Sequence, residues 1–196
     1  RAQDFTPAQQ AEIDAGAAEA RTLLALGGSR LNYVKGWAYP RANLGFFGQD
    51  YLYRAGVALG GLAALTVQEA MYMRSEGEDG QGRFNGDGLY RFTMPARAPV
   101  DAFWSLTMYE ATPQGQFFLT ENPLRRYAVG DRTPGMKRNP DGSLDVWIGR
   151  SDPGGDRTAN WLPAPAKGPF SVTLRAYLPK PELMDGRFRF DPVVPA

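Results

Sequence analysis

The order of apolar and polar positions divides the chain into a helical beginning and a longer β-rich part. Residues 6–26 are predicted to form an amphipathic helix, because Thr6 suits the cap and Pro7 suits the first helical position. The pair Gly27-Gly28 is expected to end this helix. A second helix is predicted over 50–65, where apolar side chains recur on one side at helical spacing.

From Thr66 onward the pattern changes to short runs rich in β-branched and aromatic residues, separated by Gly, Pro, Asn and Asp. Six runs are predicted to be strands: 66–76, 89–95, 102–110, 115–120, 143–149 and 170–178. This spacing favours an antiparallel sandwich or jelly roll over alternating strands and helices. The predicted fold is mainly β with N-terminal helices, an antiparallel jelly-roll-like β-sandwich.

Two segments fit neither the helical nor the strand period. Residues 29–49 are predicted to be irregular and to be anchored by aromatic side chains. Residues 160–165, Asn-Trp-Leu-Pro-Ala-Pro, are predicted to be a loop in which two prolines stiffen the entry to the next strand. Trp161 is therefore the better candidate for exposure, whereas Trp104 and Trp147 lie in predicted strands and are expected in the core.

The composition excludes several kinds of chemistry. The 196 residues include neither cysteine nor histidine, so the chain by itself holds no Ser-His-Asp triad, no Cys-His pair and no His- or Cys-ligated metal. An enzyme built from this chain would use Asp, Glu, Tyr, Lys or Arg, or a bound cofactor. We predict no metal site and no cofactor, and whether the protein is an enzyme is left open.

Charge and hydropathy also limit the partners. The net charge of +1 gives no general attraction to nucleic acid or anionic membrane, and nucleic acid is therefore an unlikely partner. Arginine accounts for 18 of the 22 basic residues, but it is spread along the chain. No apolar run in the sequence is long enough to span a membrane. The chain begins with Arg1, which fits a removed signal peptide, an upstream membrane anchor or an expression variant.

Two polar segments could carry a site. Residues 76–88 contain several oxygen ligands for calcium, but they lack EF-hand spacing and hold two hairpin-turn dipeptides, so we interpret them as a solvated hairpin loop. In residues 122–148, five basic side chains surround Asp131. One interpretation is an anion-recognising loop in which Asp131 orients an arginine and Tyr127 supplies a hydroxyl. The favoured one is structural, with Asp131 accepting backbone N–H groups in its own turn.

Several stretches together resemble one bacterial family, the domain of unknown function 1214. They are DYLYRAGVALGGLAAL, EAMYM, VDAFWSLTMYE, NPLRRYAVGDRTPG, DGSLDVWI, NWLPAP, GPFSVTLRAYLPKPELMDGRF and DPVVPA. The resemblance runs from about residue 50 to the C-terminus, so we predict an N-terminal extension over 1–49 and the family's β-sandwich over 50–196. It implies a jelly-roll-like sandwich and no established activity.

The resemblance also implies features of the whole protein. A second domain of unknown function, 1254, often precedes this one in the family, and we expect this chain to be a short form without it. Short members often carry an N-terminal hydrophobic anchor, so we expect a periplasmic or membrane-anchored location in the cell envelope, with the cytoplasm as the alternative.

Thirteen residues of the matching stretches are candidates for a functional role: Tyr53, Arg54, Trp104, Tyr109, Asn122, Arg126, Tyr127, Asp131, Arg132, Asn160, Trp161, Arg175 and Tyr177. From these we select eight as candidate ligand-binding residues: Arg54, Asn122, Arg126, Tyr127, Asp131, Arg132, Asn160 and Trp161. No catalytic residue is assigned. A buried network of arginine and aspartate would explain the polar members without any ligand.

Three functions remain in order of preference. The first is a binding or assembly module, with a small-molecule or carbohydrate ligand or a homo-oligomer as its partner; it predicts that Arg126, Asp131 and Arg132 are paired within the protein. The second is an enzyme that acts on a carbohydrate-like or carboxylated small molecule, with Asp131 or Glu69 as the acid or base. The third, nucleic-acid binding, predicts affinity that falls steeply with salt.

Overall fold

The computed structural model describes residues 4–25, 32–77, 84–85, 87–113 and 116–196. Two compact units divide the chain: a helical unit with the described residues of Arg1–Arg30 and Asn43–Ala64, and a β unit with those of Leu31–Ala42 and Leu65–Ala196. In the described part of the chain, no helix has the length and apolar character needed to cross a membrane. The predicted division at residue 50 stays a prediction.

The helical unit begins with helix α1, Pro7–Ala25. Thr6 and Gln9 cap it reciprocally: the Thr6 hydroxyl accepts the Gln9 N–H at 3.3 Å, and the Gln9 side chain accepts the Thr6 N–H at 2.9 Å. This is a capping box, which satisfies two of the free N–H groups in the first turn. The predicted helix is confirmed, but its described side chains are exposed apart from the half-buried Gln10 and Leu24, so the amphipathic character predicted for it is not. Its expected stop at Gly27-Gly28 lies outside the described residues.

Helix α2, Tyr51–Gly60, completes the helical unit. Asp50 caps it by accepting the Tyr53 N–H at 3.1 Å, and the ring of Phe47 meets the buried ring of Tyr53 edge to face at 5.5 Å. The helix ends five residues before the predicted end. Two adjacent glycines and Ala63 in the left-handed region at φ 64° explain the early end, since neither continues a helix readily.

The β unit consists of two sheets. The strands are β1 (Asn32–Val34), β2 (Trp37–Tyr39), β3 (Ala70–Ser75), β4 (Tyr90–Met94), β5 (Trp104–Ala111), β6 (Phe117–Phe118), β7 (Ala128–Gly130), β8 (Leu144–Gly149), β9 (Trp161–Pro163), β10 (Phe170–Tyr177) and β11 (Val194–Pro195). The seven-stranded sheet has the order β1-β2-β3-β10-β5-β6, with β7 also paired to β5. The four-stranded sheet has the order β11-β4-β8-β9.

All six predicted runs contain strands, which are β3, β4, β5, β6, β8 and β10. The pairings within both sheets are antiparallel except for the parallel pair β8–β9. A mainly β fold with few helices is therefore confirmed, and its jelly-roll-like character stays a prediction.

The sequence did not reveal the shorter strands. The hairpin β1–β2 lies in the segment predicted to be irregular, and Lys35 and Gly36 turn it with φ values of 51° and 75°. Two positive φ values in a two-residue loop are typical of a type I′ turn. The strands β7, β9 and β11 and a short helix α3, Pro181–Met184, were also missed. Elements of two to four residues are too short to show a period.

The core of the β unit lies between the two sheets. Trp37 of the larger sheet meets Phe92 of the smaller one at a ring distance of 5.2 Å, and Phe170 meets Tyr90 at 6.0 Å. Apolar side chains alternate along the strands, so one face of each sheet is buried. Fully buried members of this core include Met73, Phe92, Met94, Leu106, Met108, Val146, Ile148, Leu162, Val172 and Leu174. The opposite face of the larger sheet carries polar and aromatic side chains.

Candidate functional site

Asn160 ends a short 3-10 helix, Gly155–Asn160, directly before β9 and is almost fully buried, with 4% of its surface exposed. Its side-chain amide donates to the carbonyls of Lys137 (2.6 Å) and Asp145 (2.9 Å). Its side-chain oxygen accepts the Lys137 N–H at 2.7 Å. These three hydrogen bonds to backbone groups connect the loop before β8 with β8 and with the start of β9. The side-chain amide of Asn160 therefore has a structural role.

Arg126 reaches the same part of the fold. Its guanidinium donates to the carbonyls of Thr158 (3.4 Å), Ala159 (3.2 Å) and Trp161 (2.8 Å). Asn122 fixes the backbone of Arg126, accepting its N–H at 3.0 Å and donating to its carbonyl at 3.1 Å. Carbonyl groups satisfy a guanidinium without neutralising it, so Arg126 is paired within the protein but carries its full charge.

Trp161 is not an exposed loop residue. It belongs to β9, pairs in parallel register with Trp147, is 8% exposed, and donates its indole N–H to the carbonyl of Gly149 at 2.8 Å. The expectation of an exposed Trp161 in a loop is therefore wrong, because β9 adds to the sheet edge and the indole N–H finds a partner there. Trp104 is buried as expected, whereas Trp147 is half-buried under the guanidinium of Arg157, 4.4 Å from its ring centre.

Asp131 is exposed and lies outside the expected turn network. Its carboxylate accepts the Trp104 N–H at 3.4 Å. The turn itself is closed by Thr133, whose hydroxyl accepts the Gly130 N–H at 2.9 Å. No described basic group lies within ion-pair distance of Asp131, so the hypothesis that it orients an arginine has no geometric support. Its neighbour Arg132 stacks over the ring of Phe103 at 4.1 Å.

The remaining predicted residues lie elsewhere. The Tyr127 hydroxyl donates to the Glu121 carboxylate at 3.1 Å, and this hydrogen bond raises the pKa of Tyr127. Arg54 is an exposed residue of α2 in the helical unit. Within the β unit, the predicted residues thus serve four separate sets of contacts rather than one open pocket: those around Arg126 and Asn160, and those of Tyr127, Asp131 and Arg132. Their role in ligand binding stays a prediction.

A surface cavity of about 340 Å³ lies next to Arg150 and includes Asp87 and Asp152 in its wall. Arg150 joins two loops by donating to the carbonyls of Ala166 (2.5 Å) and Asn85. Hydrogen bonds from Thr158 and from the backbone hold the pKa of Asp152 below its usual value. An acid with a lowered pKa stays ionised and is poorly suited to donate a proton. The cavity is better explained by loop structure.

A different group of side chains shares the polar face of the larger sheet, on its three central strands. We call it the arginine–tyrosine face: Tyr72 of β3, Thr107 and Tyr109 of β5, and Thr173, Arg175 and Tyr177 of β10. The register places Arg175 opposite Tyr72, and Thr173 opposite Thr107. Alternation along the strands directs all six side chains to the face that is not in the core.

Arg175 is the centre of this face. Its guanidinium donates to the Thr107 hydroxyl at 2.5 Å and to the Tyr109 hydroxyl at 2.6 Å. The rings of Tyr72 and Tyr109 lie 5.9 Å and 5.7 Å from the guanidinium carbon, within cation–π distance. The aromatic contacts continue along the sheet: Tyr72 meets Tyr177 edge to face at 6.5 Å, and Tyr177 stacks on Phe103 at 4.2 Å.

The charge of Arg175 is not balanced by a described carboxylate, since both of its described hydrogen-bond partners are neutral hydroxyls. Arg74, on the same face, forms an ion pair with Glu76 at 2.5 Å. Burial raises the pKa of Tyr72, which therefore remains a neutral hydroxyl. The buried Ser171 hydroxyl, opposite Tyr109, has no hydrogen-bond partner among the described residues. The face thus combines a cation with unused hydrogen-bonding capacity.

Tyr109, Arg175 and Tyr177 are among the thirteen candidates of the matching stretches but not among the eight predicted ligand-binding residues. No role was predicted for Tyr72 or Thr107. The missing information was the strand register, because only the pairing of β3 and β5 with β10 brings these side chains together. An arginine between apolar positions of a buried strand was the available signal.

Comparisons with known proteins agree with the fold. Residues 69–181 match the family model described as "Protein of unknown function (DUF1214)". This match confirms the predicted resemblance to the family, but it begins at residue 69 and not at about residue 50. No curated protein matches the chain. Among solved structures, the chain is similar to the VPA0106 protein from Vibrio parahaemolyticus, with 25% sequence identity and a TM-score of 0.69. The similarity covers 98% of this chain and 46% of the other, so this chain spans less than half of that relative.

Proposed function

Since the chain belongs to the DUF1214 family of proteins of unknown function, its own geometry is the guide to its activity, and we propose that it is a non-catalytic binding module. The proposed recognition surface is the arginine–tyrosine face. One observation carries the proposal: Arg175 is a half-buried cation held by two neutral hydroxyls. A guanidinium in this position has donors and charge available for a ligand.

The pKa shifts and the exposure of the described carboxyl groups favour a binding function over a catalytic one. The described carboxyl groups with a clear pKa shift are Asp141, Asp152, Asp156 and Asp185, and hydrogen bonds lower the pKa of each. A general acid at neutral pH needs the opposite shift. Asp131 and Glu69, the proposed acid or base residues, are exposed, and each has a described hydrogen bond to its surroundings. The enzyme hypothesis therefore gains no support from this geometry.

An assembly role and a cell-envelope location remain predictions. The described residues include exposed apolar side chains in the helical unit, such as Phe46, Leu59 and Leu62 at 70%, 77% and 81% exposure. Exposed apolar residues of this size are common at interfaces but do not by themselves identify a partner.

The proposal is tested by NMR with protein labelled at the tyrosine rings, titrated with a library of small polar molecules. We expect at least one compound to shift the signals of Tyr72, Tyr109 and Tyr177, because a ligand on this face contacts those rings. Signals are assigned by single Tyr→Phe variants. Tyr33 and Tyr51 are exposed and serve as controls for non-specific binding.

Shifts of the three face tyrosines without shifts of Tyr33 and Tyr51 would support the proposal. A library that leaves the face unchanged, or that shifts exposed tyrosines equally, would overturn it. Turnover of any shifted compound during the titration would overturn the non-catalytic part.

A further inference from the structure

We propose that the arginine–tyrosine face binds a sugar acid, a sugar ring that carries one carboxylate, with Arg175 as the carboxylate receptor. This inference rests on the proposed binding function and names its ligand. It follows from three properties of the face: one unneutralised guanidinium, aromatic rings on its flanks, and several hydroxyl groups around it.

The guanidinium identifies the charge of the ligand. In a half-buried position a positive charge is only partly solvated, and an anion with two oxygens pairs with the planar fork through two parallel hydrogen bonds. Arg175 is fixed in place by Thr107 and Tyr109, so its orientation is set before the ligand arrives. A preoriented receptor loses less side-chain freedom on binding.

The number of cations favours a carboxylate over a phosphate. Arg74 is paired with Glu76, and Arg132, which stacks over Phe103 and keeps its charge, is not one of the six side chains of the face. Arg175 therefore acts as a single positive charge, which balances the single negative charge of a carboxylate. A phosphate monoester carries a charge close to −2 at neutral pH and would be left partly unbalanced.

The neutral groups identify the rest of the ligand. The half-buried side chains of Tyr72, Tyr109, Thr173 and Tyr177 carry hydroxyl groups that can donate and accept, as the hydroxyls of a sugar do, whereas Thr107 is buried and serves to hold Arg175. The aromatic rings beside them offer apolar faces for the C–H groups of a sugar ring. From β3 to β5 the face spans two strand spacings, about 10 Å, which suits one or two sugar rings.

Nucleic acid fits the face less well. A single strand also stacks on aromatic rings, but its affinity depends on several basic side chains that track the phosphates. Among the described side chains of this face, Arg175 is the guanidinium without a carboxylate partner, and the net charge of the whole chain is only +1. A sugar acid needs only one such cationic group.

The experiment measures binding of glucuronate to the full chain by NMR titration of the labelled tyrosine rings, with glucose and glucose 6-phosphate as companions. We expect glucuronate to shift Tyr72 and Tyr109 and to bind at least about tenfold more tightly than glucose, since glucose lacks the charged partner for Arg175. Glucose 6-phosphate is expected to bind no more tightly than glucuronate.

Variants test the role of Arg175. Arg175→Met is expected to weaken glucuronate binding at least about tenfold, and Arg175→Lys to weaken it less, because lysine keeps the charge but loses the fork. Arg157→Met is the matched control, since Arg157 also stacks on an aromatic ring but lies outside the face; it should leave binding unchanged. Circular dichroism confirms that each variant is folded, and Arg175→Lys remains informative if Arg175→Met is not.

The outcomes separate the two proposals. If glucose binds as well as glucuronate, or if Arg175→Lys and Arg175→Met leave glucuronate binding unchanged, the carboxylate assignment is overturned. If other compounds shift the face tyrosines and glucuronate does not, the sugar-acid inference fails and the binding function stands. If no compound shifts them, both fail. Tighter binding of a ten-nucleotide thymidine strand, steeply dependent on salt, would also overturn the inference.

Discussion

The buried amide of Asn160 shows how a polar side chain can be essential without being a site. All three of its described hydrogen bonds go to backbone groups, and its surface is almost completely removed from solvent. An unpaired polar group in such a position is costly, which makes this residue sensitive to substitution.

Replacing Asn160 by alanine is expected to lower the free energy of unfolding by about 2–4 kcal/mol, because the change removes all three hydrogen bonds that this buried amide makes with the backbone of Lys137 and Asp145. Urea denaturation followed by tryptophan fluorescence measures the change. The control is Asn32→Ala, on an exposed position of β1, which should shift the value by no more than about 0.5 kcal/mol. Equal effects of the two substitutions would contradict the structural role.

The sequence shows which polar residues are unusual, but it does not show their hydrogen-bond partners. Asn160 and Arg126 are residue types with no obvious place in a core, and both are held by hydrogen bonds to distant backbone carbonyls. Asp131 was assigned to its own turn, but it accepts the N–H of Trp104, 27 positions away. Hydrogen bonds between distant segments depend on the tertiary fold, which local patterns do not encode.

At the scale of elements, the pair β5–β7 depends on a close backbone approach. A Cβ atom added to Gly130 would overlap the carbonyl oxygen of Trp104 on the neighbouring strand. Gly130 pairs with Ser105 in register, so no flexible side chain can move aside to make room. The glycine is therefore required by sheet geometry.

Gly130→Ala is expected to destabilise the β unit by about 1–3 kcal/mol, since the β5–β7 backbone has to separate to fit the methyl group. Chemical denaturation measures the loss, and hydrogen exchange at Val129 and Leu106 reports whether that pairing opens first. Gly88→Ala serves as the control: its added methyl would make ordinary contacts at 3.6 Å with the Tyr90 ring and should change stability by less than about 0.5 kcal/mol. A Gly130→Ala variant as stable as the control would contradict this explanation.

The longer elements could be read from the sequence, and the shorter ones could not. Strands such as β5 and β10 show eight residues of alternation, enough for a period to emerge. Strand β9 has three residues and contains a proline, and it joins β8 in parallel, which hides it among loop signals. The arginine–tyrosine face was missed for a related reason: each side chain was visible, but their shared position depends on the register of three strands.

At the scale of the whole molecule, the absence of histidine predicts that stability is constant over a broad range of pH. No side chain with an ordinary pKa titrates between about pH 5 and 9 in a chain without histidine or cysteine. We expect the free energy of unfolding to be constant across this range, as measured by urea denaturation at fixed ionic strength. A transition near pH 6 or 7 would contradict the expectation.

Stability should fall outside that range on both sides. Hydrogen bonds lower the pKa of Asp141, Asp152 and Asp185 in the folded state, so their contribution is complete above the ordinary value of 3.8 and is lost as the pH falls below it. Burial raises the pKa of Tyr39 and Tyr72, so their contribution is complete below 10.0 and is lost as the pH rises above it. In the Asp141→Asn variant, the free energy of unfolding should fall less steeply with decreasing pH than it does in the unsubstituted protein.

Strand β10 has a consequence for how the protein is made. It lies between β3 and β5 in the larger sheet, although it follows both by about 60 or more positions in the chain. During synthesis on the ribosome, the edges of β3 and β5 that β10 will occupy stay open until residue 177 has emerged from the exit tunnel. Unpaired strand edges are prone to join other chains, so the nascent protein is exposed to aggregation at these two edges until β10 has emerged.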